Sequence, residues 1–211
     1  MDIEELKRLR HLEAAQRMAE IAHHGQFRHP KELEIPFVTH PIEVKDLLAD
    51  HGVLDEDILM AALLHDTIED TTVIRRDIVR VFGTIVADYV VECTTDLPGM
   101  TVKEKKALLR EKAPTWSLGA RCIKMADGLS NVKSIAETDP GWMPRSQLGY
   151  VTTTAEIAHI VEDDDGPKPP QSLTNAFFKQ VYETLVVVAE RQEVYDVERA
   201  ERKRLNKIKN N

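Results

Sequence analysis

Cysteine is scarce in this 211-residue chain: Cys93 and Cys122 are the only two, far apart and without CxxC spacing. That argues against a disulfide framework and fits two free thiols in a reducing cytoplasm. Aromatic residues make up 5% of the chain, and no alternating run is bounded by hairpin dipeptides, which argues against a β-sandwich. No apolar stretch approaches the roughly 18 residues of a membrane helix. The opening MDIEELKRLR has no apolar region of the kind a secretory signal needs. Excess basic charge is missing as well. With 28 Lys and Arg against 36 Asp and Glu, the net charge of −8 argues against a general nucleic-acid binder.

What remains reads as helix almost throughout. The length suits one domain, or one domain with an appendage. Apolar residues recur at helical spacing over 4–24, and Pro41 suits the first turn of a helix running to about His51. A further helix opens at Leu54–Asp55 and runs through Ile68; Thr71 or Thr72 caps the next, which ends near Gly83. Others are expected at about 84–95, 101–113, 118–136 and 144–162. Glu162–Gln171, EDDDGPKPPQ, joins an acidic run to a Pro/Gly stretch and reads as a surface loop. Leu173 to Lys209 then reads as one long helix whose apolar start packs on the domain or on a second subunit. The expectation is an all-α fold: a helical bundle over 1–162, a loop over 163–171 and a helical extension over 172–211.

The chemistry concentrates in AALLHDTIEDT. His65, Asp66, Glu69 and Asp70 fall within one sector of a helix, beside an apolar stripe. No Lys or Arg lies between Lys45 and Arg75, so three carboxylates within five residues repel one another with no nearby basic residue. Burying them requires a compensating cation; an acidic, solvated helix face is the alternative. THP at 39–41 puts His40 just before a helix, where it can point inward. IKMADGLSNV at 123–132 puts Asp127 and Asn131 four apart on an otherwise apolar helix. His40, His65, Asp66 and Asp127 together offer two nitrogen and two carboxylate ligands, a set suited to Mn, Fe, Co or Zn.

The order HP…HDxxED…AD…N resembles the HD-domain hydrolases. More narrowly, it resembles the hydrolase domain of RelA/SpoT proteins and their stand-alone relatives, the small alarmone hydrolases. The likeness runs over about 10–160 and includes HHGQFRHP, PFVTHP, ALLHDTIEDT, FGTIVADYVVECT and IKMADGLSNV. The resemblance implies an HD-domain helical bundle with a C-terminal extension. It implies that His40, His65, Asp66 and Asp127 hold the metal, usually Mn²⁺, with another divalent transition metal as the alternative. Glu69 and Asp70 match the pair that activates and orients the attacking water. Arg28, Asn131 and Tyr150 match nucleotide-contacting positions. The implied reaction removes pyrophosphate from the 3′ position of (p)ppGpp to leave GDP or GTP. The implied partner is thus a small nucleotide, with no membrane and no nucleic acid, and with self-association through the last helix left open.

The chain departs from the family pattern at His29, Phe37, Gly128 and Ser130, where a basic residue, a Tyr, a basic residue and a His or Tyr are usual. Gly128 leaves room where a long side chain would lie. Residues 101–133 hold eight Lys or Arg against three acids, a balance of +5 that either serves a polyphosphate or solvates two helix faces. Lys103, Lys105 and Lys124 are the candidates there. Two other readings stay open: a phosphohydrolase for a related nucleotide such as an adenine alarmone or dinucleotide phosphate, and a catalytically silent nucleotide sensor.

Overall fold

The computed structural model describes residues 3–28, 34–95 and 99–209, and in it the amphipathic runs fold as helices. The first are α1 (Ile3–Ala22), α2 (Thr39–Asp50), α3 (Glu56–Leu64), α4 (Thr67–Asp70), α5 (Arg75–Phe82) and α6 (Thr84–Cys93). Then come α7 (Val102–Lys112), a 3₁₀ turn at Ala113–Thr115, α8 (Leu118–Thr138), α9 (Pro144–Asp163) and α10 (Gln171–Lys209). Among the described residues the one strand-like feature is an isolated bridge between Phe27 and Pro36. The fold is all-α. His29 lies outside the described residues.

Two helices form the centre. α3 is apolar on every side, with Ile58 through Leu64 all buried, as a helix surrounded by neighbours requires. Asp55 caps it, accepting from the backbone N–H groups of Asp57 and Ile58 at 2.9 and 3.2 Å. α8 packs against α2, α3, α6, α9 and α10, and it carries Asp127 and Ser130 into the core among Ile123, Met125, Ala126 and Leu129.

The chain breaks where one continuous helix was expected. α3 stops at Leu64, and a turn at His65–Asp66 separates it from the short α4. The cause is local competition for carbonyls: His65 Nδ1 donates to Ala62 O at 2.8 Å, and Thr67 Oγ1 donates to Leu64 O at 2.7 Å. Thr71 likewise serves α4 rather than capping α5, donating to Thr67 O and accepting from Val73 N–H. At the start of α5 the Asp77 carboxylate reaches back to the Ile74 N–H instead.

The first half of α10 lies on α8 and α9, burying Leu173, Phe177, Val181 and Val188. Arg191 ties it down through the carbonyls of Ile135 and Ala136. The acidic turn between α9 and α10 is held by Arg121, which is 1% exposed and grips both oxygens of Asp164 at 2.8 and 2.7 Å. Its other donors go to the carbonyls of Trp116, Val161 and Pro114. The Arg121 guanidinium holds the Asp164 carboxyl well below the usual carboxylate range. Asp164→Ala leaves that guanidinium buried without its counter-ion and should cost about 3 kcal/mol. For a chain of this size, thermal denaturation should show a fall in Tm of roughly 6–12 °C. Since the folded-state pKa is depressed, the pair's contribution is whole at neutral pH and is lost on acidification below the ordinary carboxylate range. The gap in Tm between the two proteins should therefore narrow in acid.

Candidate metal centre and active site

Three segments bring the chemistry together. His40 lies inside the first turn of α2, not ahead of it, and is 2% exposed. The α3–α4 break turns His65 and Asp66 to face it, and α8 supplies Asp127. His40 Nε2 lies 3.1 Å from Asp127 Oδ1 and 3.7 Å from Asp66 Oδ2. His65 Nε2 lies 3.1 Å from Asp66 Oδ2 and 3.8 Å from Asp127 Oδ1. Ligands about 2.1 Å from one ion stand roughly 3.0–3.4 Å apart, so this spacing fits a shared metal.

The protonation pattern fits it too. His65 donates from Nδ1 to Ala62 O, which leaves Nε2 as the lone-pair nitrogen of its neutral form. That Nε2 is buried and, despite its 3.1 Å contact with Asp66, has no partner in hydrogen-bonding geometry. Burial disfavours a charge on His65, but the carboxylates of Asp66 and Asp127 outweigh it and push the imidazole pKa up to about 10. The same field attracts a divalent cation. Burial alone would raise the Asp127 carboxyl; Lys124 Nζ, 2.8 Å from Oδ2, and the two histidines instead hold it far below its ordinary range. Asn131 Nδ2 donates to the other oxygen of Asp127 at 2.6 Å.

The centre opens on a cavity of about 400 Å³. Its lining includes Phe37, His40, Asp66, Glu69, Asp127 and Asn131, together with the apolar side chains of Leu109, Trp116, Ile157 and Phe177. Glu69 is oriented there by the Thr95 N–H, which donates to its Oε2 at 3.0 Å. Asp70 is not among the lining residues; it sits exposed at the end of α4, with its carbonyl accepting from Gln26 Nε2. Tyr150 lines the cavity beside Asn131. Arg28 does not line it but reaches Asn131 Oδ1 at 3.2 Å, from a loop held by the paired backbones of Arg28 and Ile35.

The basic residues of 101–133 divide by role. Lys105, Lys106 and Lys124 line the cavity, whereas Lys103 does not. Lys106 escaped the sequence reading because KEKK offers no spacing that separates an inward lysine from an outward one. Arg110, Arg121 and Lys133 pair with Glu156, Asp164 and Glu43. Gly128 leaves no vacant space: a Cβ there would meet Thr154 Cγ2 at 2.9 Å and Phe177 Cε2 at 3.0 Å. The glycine is what lets α9 and α10 close over α8 at the cavity wall. Glu43, which no motif singled out, bonds both Ser130 and Lys133.

The chain is similar to known proteins. The HD domain family matches residues 14–141. The guanosine-3′,5′-bis(diphosphate) 3′-pyrophosphohydrolase MESH1 of Xenopus tropicalis is 37% identical over 150 residues, covering 69% of this chain and 81% of that protein. The chain belongs to the HD domain family, in its RelA/SpoT-type hydrolase branch. MESH1 of Drosophila melanogaster is 39% identical over 136 residues, covering 64% of this chain and 75% of its own. A solved structure of a metazoan ortholog of SpoT, one that hydrolyzes ppGpp and plays a role in starvation responses, superposes with a TM-score of 0.71 at 30% identity. That match covers 81% of this HD protein and 94% of the other chain. The bundle is thus an HD-domain arrangement, and His40, His65 and Asp127 form a possible metal site in it. Among the described residues no helix is long and apolar enough to cross a membrane.

Proposed function

We propose that this protein is a metal-dependent hydrolase that removes the 3′-pyrophosphate of (p)ppGpp, giving GDP or GTP and pyrophosphate. The observation that carries this reading is the buried His65 Nε2, which faces Asp66 and Asp127, two carboxylates that line a cavity in an HD-domain chain. Its relatives named as ppGpp 3′-pyrophosphohydrolases support the choice of substrate.

His40, His65, Asp66 and Asp127 are the residues that would hold the ion, with Mn²⁺ suited to two imidazoles and two carboxylates. A bound divalent ion supplies Lewis acidity toward the phosphoryl oxygens and the attacking water. Glu69, fixed by Thr95, accepts the proton as that water adds to the phosphorus attached at O3′. The P–O3′ bond breaks, O3′ takes up a proton, and pyrophosphate leaves with the water's oxygen. Asp70, exposed at the end of α4 and outside the cavity lining, takes no part in this step. Lys105, Lys106 and Lys124 offset phosphate charge along the cavity, Asn131 and Tyr150 hold the nucleoside, and Arg28, outside the lining, supports Asn131.

The test is ion-exchange analysis of products from the Mn²⁺-loaded protein given ppGpp, its adenine counterpart or a dinucleotide phosphate in parallel. GDP and pyrophosphate from ppGpp, at a rate above the other substrates, is the expected result. Intact ppGpp beside hydrolysis of another nucleotide would overturn the substrate assignment, and tight ppGpp binding without turnover would make the protein a sensor.

A further inference from the structure

We propose that Ser130 and Glu43 act as a positioning pair that locks the His40 imidazole with Nδ1 protonated and Nε2 turned toward the metal centre. This rests on reading His40 as a metal ligand. Ser130 is fully buried, and its Oγ lies 3.0 Å from His40 Nδ1. The same hydroxyl donates to Glu43 Oε2 at 2.7 Å. A serine hydroxyl has one proton, and an ionised carboxylate can only accept. With that proton committed to Glu43, the hydroxyl can only accept from His40. The hydrogen must then sit on His40 Nδ1, which leaves Nε2, 3.1 Å from Asp127 Oδ1, as the nitrogen that faces the metal centre.

Glu43 is held for this task. Lys133 Nζ contacts its Oε1 at 3.0 Å, and Arg28 Nη1 lies 3.6 Å from its Oε2. Burial alone would raise its pKa, but Ser130, Lys133 and Arg28 lower it, so the carboxylate stays an acceptor at neutral pH. The two histidines are therefore oriented by different means. His65 leans on the carbonyl of its own helix, whereas His40 depends on a side-chain relay spanning α2 and α8. The relay continues: Arg28 also donates to Asn131, and Asn131 donates to Asp127. One chain of polar contacts thus runs from His40 through Ser130, Glu43, Arg28 and Asn131 to Asp127. The serine, which stands where the family resemblance expects His or Tyr, is short enough to admit Glu43 from α2.

The experiment is Mn²⁺ binding to the full chain, followed by the paramagnetic signal of free Mn²⁺, with thermal melts as a folding control. Outer partners of metal-bound histidines are typically worth 10–100-fold in affinity, so Ser130→Ala should weaken binding by roughly 10–100-fold. Ser130→Thr keeps the hydroxyl and should recover most of that loss. Glu43→Gln can donate as well as accept, so it no longer enforces the direction and should fall in between. An imidazole ¹⁵N spectrum of the unaltered, Zn²⁺-loaded protein should show His40 protonated at Nδ1. Wild-type affinity in Ser130→Ala, or a proton on Nε2 of His40, would overturn the pair. No divalent-ion binding by the unaltered protein would overturn the metal reading itself, a distinguishable failure.

Discussion

Asp127→Ala should lose metal and turnover together. Asp127 faces both histidines, with Oδ1 at 3.1 Å from His40 Nε2 and 3.8 Å from His65 Nε2. No neighbouring acid can replace it, because Asp66 already faces the same pair from the α3–α4 turn. Metal affinity should fall by more than roughly 100-fold, the upper end of what outer partners alone contribute. The substitution also strands Lys124, whose charge burial disfavours and Asp127 sustains. Removing one member of such a pair costs about 3–5 kcal/mol, so the melting temperature should drop as well. Elemental analysis of dialysed protein, paired with a thermal melt, reads both effects. Full metal content in the variant would remove Asp127 from the ligand set.

Glu69→Gln should separate what Asp127→Ala merges. The amide keeps the size of the side chain and still accepts from the Thr95 N–H. It cannot take a proton from water. Positioned general bases contribute about 10²–10⁴ in rate, and kcat should fall by that range. Metal content should stay at the unaltered level, and KM should move little, since Glu69 is not among the groups assigned to the nucleoside. Equal metal loss in the two variants would refute the division of roles between Asp127 and Glu69.

The parts of this molecule legible in the sequence are those where a local pattern has a single physical solution. Long amphipathic runs such as 118–136 and 173–209 had to be helices, and apolar α8 could not carry Asp127 and Asn131 without partners. The break after Leu64 was not legible. His65 and Thr67 compete for backbone carbonyls there, yet the apolar periodicity runs straight through. Glu43 was hidden for another reason: an acid on an amphipathic helix reads as solvated surface, and its partner Ser130 lies 87 positions away. Gly128 misled through the same blindness to distance. A missing side chain suggests open space until α9 and α10 are seen to fill it.

The most direct test of the account is a metal titration of turnover on stripped protein. After exhaustive chelation the chain should leave ppGpp intact. As Mn²⁺ is returned, GDP and pyrophosphate should appear in equal amounts, with the rate rising until a single equivalent is bound. Undiminished turnover in the chelated protein, or a metal-loaded protein that releases no pyrophosphate, would contradict it.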